Sequence, residues 1–234
     1  MHMDGAADKP FVVDVVIAAR NQARGIGQIV AEMPKRTVRS VLVVDNGSSD
    51  ATARAAEDAG AIVLREGRGG HGAACLRAVA HLSTLPRPPD SVVFMAADGS
   101  ADPTDLPGLL KPLREGLFDL VLGSRALGGN GLRVGARASS FVAVNLIHAI
   151  YGHRYTDMGP LRAIRYPALI ALGLSDLEGG FLAEMQVKAV RRGLRIAEVP
   201  VRERPRTGSG VALKDRASAT GQVLYQILRH ATAR

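Results

Sequence analysis

One alternation constrains the fold more than any other feature of the chain. Four short runs rich in β-branched residues, FVVDVVIAA (11–19), SVLVVD (40–45), AIVLRE (61–66) and SVVFMAAD (91–98), are separated by segments of helical character at 23–33, 50–59 and 71–83. Three of these runs are almost continuously apolar, the pattern of strands covered on both faces. Strand and helix in alternation imply right-handed crossovers, an open parallel sheet, and ligand chemistry at the carboxyl ends of the strands. Beyond residue 104 the pattern loosens. It gives a helix over 104–115, a strand in DLVLGSR (119–125), helices over 138–151 and 179–192, a strand in IAEVPVRER and an amphipathic helix over 217–231, while 127–139 and 204–216 read as mobile loops. The expected class is α/β: a single domain built on an open, mostly parallel, twisted sheet with helices on both faces.

Composition narrows the function. With 47% hydrophobic and 22% charged residues in 234, the chain is neither disordered, collagenous nor coiled coil, and it is long enough to bury a core without staples. The lone Cys75 forms no internal bridge, and MHMDGAADKP has no apolar signal segment. The most apolar stretch, FVAVNLIHAIYG, is too short to span a bilayer and contains Asn145 and His148. A cytoplasmic protein is expected. Thirty Lys and Arg against 22 Asp and Glu leave a net charge of +8, which favours anionic partners. The 4 Tyr and 5 Phe fall mostly within apolar runs rather than forming stacking platforms, so nucleic acid is not an expected partner.

Polar residues gather at the strand ends. The first strand ends in AARNQ and the second in DNGSSDAT, where Ser48, Ser49 and Asp50 read as helix-capping residues and Asp45 is placed to accept hydrogen bonds from a base or ribose. Gly67, Gly69 and Gly72 fit G-x-G-x-x-G before a helix, a pattern that allows a phosphate at the helix N-terminus and equally a flexible turn. The fourth strand ends in MAADGSADP, where Asp98 is the stronger candidate for a divalent cation and Asp102, before a proline, reads as a turn residue. Glu184 is spaced to pair with Lys188 at i, i+4 on an exposed helix face.

Eight ordered blocks, VVIAARNQ, VLVVDNGSSDAT, GGHGAACLRA, VVFMAADGSADPTDLPGLLKPL, DLVLGSR, TDMGPLRAIR, FLAEMQVKAVRRGLRIAEVPV and RPRTG, resemble the family 2 glycosyltransferases of GT-A fold, in the branch similar to dolichol-phosphate mannose synthase. The resemblance covers roughly residues 11–210. It implies a GT-A catalytic domain over 11–216, with a nucleotide-binding half at 11–103 and an acceptor-binding half at 104–216. A disordered tail at 1–10 and the C-terminal amphipathic helix at 217–234 flank it. For the donor it implies Ala18, Ala19, Arg20, Asn21 and Gln22 around the base, Asp45 pairing with it, Gly70, His71 and Gly72 near the nucleotide, and Ala97 and Asp98 as the last two positions of an Asp-x-Asp motif. Glu184 falls at the position of a catalytic base. Asp157 and Arg162 belong to the sugar and acceptor side. From their own chemistry, the basic loops with Arg204, Arg206 and Lys214 can supply compensating charge for the leaving diphosphate.

The implied activity is transfer of a hexosyl group, with inversion, from a UDP- or GDP-sugar to a polyprenyl phosphate or a small-molecule acceptor. The implied cofactor is Mg2+ or Mn2+ at Asp98. Three departures bear on this: Ala96 replaces the first aspartate of Asp-x-Asp, Ala18 and Gln22 replace a proline and a glutamate, and RTGSGVALK lacks a Ser-Lys pair. Magnesium keeps several waters, so one carboxylate with diphosphate oxygens forms a weakened site. Peripheral membrane contact and a homodimer are both compatible with the sequence. A nucleotide-sugar-binding protein without catalysis, motivated by Ala96, and a nucleotide-dependent oxidoreductase, motivated by the glycines, stand as alternatives.

Overall fold

A computed structural model describes residues 10–67, 69–129, 134–159, 161–207 and 213–232. The strands are β1 (Val13–Ala19), β2 (Ser40–Asp45), β3 (Ile62–Arg65), β4 (Ser91–Phe94), β5 (Leu120–Ser124), β6 (Arg162–Arg165) and β7 (Ile196–Pro200). The helices are α1 (Ile26–Ala31), α2 (Thr52–Asp58), α3 (His71–Ser83), α4 (Leu106–Arg114), α5 (Val134–Tyr151), α6 (Tyr166–Leu172), α7 (Phe181–Arg191) and α8 (Leu213–Thr232). The tail at 1–9 and parts of the two expected loops, 130–133 and 208–212, lie outside the described residues.

The strands form one sheet in the order β3-β2-β1-β4-β6-β5-β7, with β6 antiparallel to both neighbours and the other six strands running one way. Alternation along β1 explains the layering. Val13, Val15, Ile17 and Ala19 face a core completed by α1, α2 and α4, whereas Val16 faces one completed by α3, α5, α6, α7 and α8. Each fully buried Val, Ile or Leu stabilises by about 1.5–3 kcal/mol, and strands sandwiched between two such layers carry apolar residues at nearly every position.

From β1 the chain steps outward through β2 to β3, then returns to place β4 on the other side of β1. That reversal opens a crevice beyond the carboxyl ends of β1 and β4. The expected strand at 91–98 stops at Phe94, because the ladder with β1 ends there apart from Met95 N donating to Val16 O at 3.0 Å. Residues 95–98 are thereby released into the crevice. Two elements escape the sequence pattern, β6 and α6. The four-residue β6 begins and ends on arginine, and α6 follows it at once with Pro167 in its first turn.

Candidate active site

The β1–β2 side of the crevice is built by lacing two loops together. Ala19 is in register with Asp45 across β1 and β2, and Asn46 N donates to Ala19 O at 2.8 Å. Asn21 adopts φ +54°, a left-handed conformation that asparagine tolerates, and its Oδ1 accepts from Ser49 N at 2.9 Å while its own N–H donates to Ser48 Oγ at 3.0 Å. Gln22 N donates to Thr52 Oγ1 at 2.7 Å, and Ala23 N to Asp50 Oδ2 at 3.2 Å. Ser48 and Ser49 therefore tie the β1 loop rather than cap α2. Asp50, one residue before the Ala51 cap position, accepts from Thr52 N at 3.0 Å and closes a turn ahead of α2. Asp45 holds its loop through Oδ1, which accepts from Ser48 N at 3.1 Å. Ala18 and Ala19 line the strand end, Gln22 is buried, and Arg20 is exposed.

The glycine loop corrects one expectation. The first-turn amides of α3 do not wait for a phosphate: Gly72 N donates to Glu178 O and Ala73 N to Leu177 O, both at 2.8 Å. A Cβ on Gly72 would collide with the Asp176 carbonyl, and one on Gly70, at φ +82°, with that of Leu177. These glycines let the 176–178 backbone cross the helix N-terminus, and that segment satisfies the donors an anion would need. The loop stays tied to the end of β2 through Asn46 Nδ2, which donates to Gly70 O at 2.9 Å. His71 turns inward. Its Nε2 lies 3.6 Å from Cys75 Sγ, beside a cavity of about 40 Å³ that Ala18, Phe94 and Ala96 also line. Burial, helped by the charge of Arg162, pushes its pKa down to about 4.

The β4 tip carries the acidic side. Ala97 packs into the core with 7% exposure. Asp98 Oδ1 accepts from Ser100 N at 3.0 Å and from Ser100 Oγ at 2.5 Å, and Oδ2 lies 2.8 Å from Arg206 Nε. Arg206 is delivered by an added antiparallel stretch. Ala101 pairs with Glu203, Arg204 N donates to Ser100 O at 2.8 Å, and Thr207 N to Asp98 O at 3.0 Å. Arg202, Arg204 and Arg206 alternate along this stretch, and all three meet carboxylates of the acidic segment. Arg204 joins Asp102 at 2.7 Å and Glu32 at 2.5 Å, and Arg202 joins Asp105 at 2.9 Å. Arg202 was missed in the sequence, although its period-two spacing with Arg204 and Arg206 was a legible signal.

Three expected site residues are interior instead. Arg162 is 0% exposed, and its guanidinium donates to Gly159 O at 2.6 Å and Leu182 O at 2.8 Å, joining β6 to α7 rather than facing an acceptor. Burial pushes its pKa down to about 10. Asp157, also 0% exposed, accepts from Arg125 Nε at 2.7 Å, Arg125 Nη2 at 2.8 Å and Ser140 Oγ at 2.8 Å. Burial raises its pKa, but the Arg125 guanidinium outweighs that and holds it below the usual carboxylate range.

Glu184 is neither exposed nor open to an acceptor. Its carboxylate is 0% exposed, accepts from Ser175 N at 3.0 Å and Asp176 N at 2.8 Å, and lies 2.6 Å from Lys188 Nζ. Burial would raise its pKa, but Lys188 and the two amides hold it low. Its visible task is to fix the 175–178 segment that lies on the glycine loop.

The residues do not fit a divalent ion well. Among the described residues no three His, Cys, Asp or Glu side chains converge on a point where a metal could sit. Ala96 puts a methyl group beside an apolar cavity where the Asp-x-Asp pattern has an oxygen ligand. Among the described residues no helix is long and apolar enough to cross a membrane.

The sequence model of "Glycosyl transferase family 2" matches residues 14–173. An uncharacterised glycosyltransferase of Mycobacterium tuberculosis is 34% identical over 84% of the chain and 87% of its own length. The undecaprenyl-phosphate mannosyltransferase of Micrococcus luteus is 36% identical over 69% of the chain and 70% of its own length. Among solved structures, glucosyl-3-phosphoglycerate synthase of Mycobacterium tuberculosis in complex with Mn2+, UDP-glucose and phosphoglyceric acid matches with a TM-score of 0.73 at 22% identity, covering 94% of this chain and 79% of that one.

Proposed function

The chain belongs to glycosyl transferase family 2, and from that premise we propose that this glycosyltransferase moves a hexosyl group from a UDP- or GDP-sugar to the phosphate of a polyprenyl phosphate. One observation carries the reading: the ends of β1, β2 and β4, with Ala19, Asp45 and the Asp98 loop, lie side by side at the topological switch point. In this reading the base lies on 18–22 with Asp45 as its acceptor, and the diphosphate extends toward Asp98. The Micrococcus luteus relative, by its name, supports the acceptor class. The Mycobacterium tuberculosis structure, solved with UDP-glucose, supports a nucleoside-diphosphate donor.

The buried state of Glu184 suits such an acceptor. A phosphate monoester loses its second proton near pH 6, so its oxygen attacks the anomeric carbon without a base. The bond from that carbon to the diphosphate oxygen breaks, and its electron pair leaves on the nucleoside diphosphate. A single displacement of this kind inverts the anomeric centre. A divalent ion at Asp98, when bound, would neutralise diphosphate charge, but with Ala96 its site is weakened and the chain's own cations carry more of that task.

Incubation with labelled UDP-glucose or GDP-mannose and undecaprenyl phosphate in vesicles, followed by lipid extraction, tests the reading. Label is expected in the lipid phase, and in none when Asp45→Ala replaces the wild type. Label appearing only in a water-soluble glycoside would move the acceptor to a small molecule. A donor that binds and is never turned over would leave a nucleotide-sugar-binding protein.

A further inference from the structure

Asp98 meets a cation already supplied by the chain. Arg206 Nε lies 2.8 Å from its Oδ2, and the other carboxylate oxygen is taken by Ser100. We infer that the Arg206 guanidinium, seated on Asp98, faces the donor's diphosphate in place of a divalent ion, so that nucleotide binding by this chain is independent of metal. The inference rests on the donor-site reading above.

Three observations support it. First, the neighbouring acid is already engaged and does not replace the missing ligand, since Asp102 is bound by Arg204 at 2.7 Å and by Arg202 at 3.1 Å. A hard cation seeks about six oxygens, and among the described residues no three His, Cys, Asp or Glu side chains are grouped to begin the set. Second, Arg206 is placed by backbone pairing on its own stretch, through Arg204 N to Ser100 O and Thr207 N to Asp98 O, so its position does not depend on the Asp98 contact alone. Third, the charges agree. Two carboxylates with a divalent ion sum to zero, and so do one carboxylate and one guanidinium. A guanidinium has five N–H donors in a fork that matches phosphate oxygens, and this side chain keeps 28% of its surface exposed.

The experiment is calorimetric titration of UDP and of GDP into wild-type protein, in chelator and in manganese. Affinity should change by less than about threefold on adding manganese, and it should fall steeply with salt. Arg206→Ala should weaken binding by about tenfold or more in both buffers, with Arg206→Lys in between because it keeps charge without the fork. The double variant Ala96→Asp with Arg206→Ala should acquire a manganese increment of about tenfold. Circular dichroism and melting would confirm that each variant is folded. A wild-type increment above about threefold that Asp98→Asn abolishes would overturn the inference and leave the donor-site reading standing, as would Arg206→Ala binding like wild type. If neither nucleotide binds folded wild-type protein in either buffer, both fall together.

Discussion

Glu184 and Lys188 form a closed pair one turn apart on α7, with Nζ 2.6 Å from a carboxylate that is 0% exposed. The same carboxylate accepts the amides of Ser175 and Asp176, and the Asp176 carbonyl lies over Gly72. A buried acid thus reaches the glycine loop through the 175–176 segment. Glu184→Ala should cost about 3 kcal/mol by removing the carboxylate that the Ser175 and Asp176 amides and Lys188 share, a fall in Tm of roughly 6–12 °C. Thermal unfolding checks this. A catalytic base would behave oppositely, losing turnover while keeping Tm.

The glycine loop offers a paired comparison. Gly72→Ala drives a methyl into the Asp176 carbonyl, whereas a Cβ on Gly67 meets nothing within 4 Å. Urea unfolding should show Gly72→Ala destabilised by about 2 kcal/mol or more and Gly67→Ala within about 0.5 kcal/mol of wild type.

His71 gives stability a pH dependence of known sign. Its folded pKa is about 4, below the ordinary 6.5, so between those values the unfolded chain binds the proton and the folded chain does not. Stability from this group is complete above pH 6.5 and is lost as the pH falls toward 4, at up to about 1.4 kcal/mol per pH unit. Lowered carboxylates add a loss in the same direction at still lower pH. The informative quantity is therefore the difference between wild type and His71→Gln, which should grow from pH 4 to 6.5 and then level off.

Asp157 closes Arg125 from two sides, taking Nε and Nη2 in a fork, and Ser140 completes its acceptor capacity. Asp157→Asn keeps the shape but leaves the guanidinium with Glu203, at 3.7 Å, and the more distant charge of Asp98. A loss of about 3–5 kcal/mol is expected in denaturant titration. Arg125→Lys should not recover the fork in the wild-type background.

What could be read from the sequence follows the strength of local pattern. β1, β2 and α3 were legible because a doubly covered strand must be apolar throughout and because α3 spans 71–83 as its spacing indicates. That the ends of β2 and β4 flank the end of β1 followed from strand order alone. Arg162 was not legible as interior. Nothing local separates a guanidinium held by carbonyls of Gly159 and Leu182 from one held by a ligand, and its strand has only four residues. Glu184 misled for a related reason, since an i, i+4 Glu–Lys pair is ordinarily a surface feature and only the 175–176 amides make it an inner one. Gly67, Gly69 and Gly72 fit a phosphate-loop pattern, yet the close approach that Gly72 and its neighbour Gly70 permit is to a backbone more than a hundred residues further along the chain.

The most direct measurement is a crystal structure of the protein with UDP or GDP. The account expects the base against residues 18–22 with Asp45 as acceptor, and the diphosphate beside Asp98 and Arg206. A nucleotide seated elsewhere, for instance among Lys188, Arg191, Arg192 and His230, which line a pocket of about 210 Å³, would contradict it.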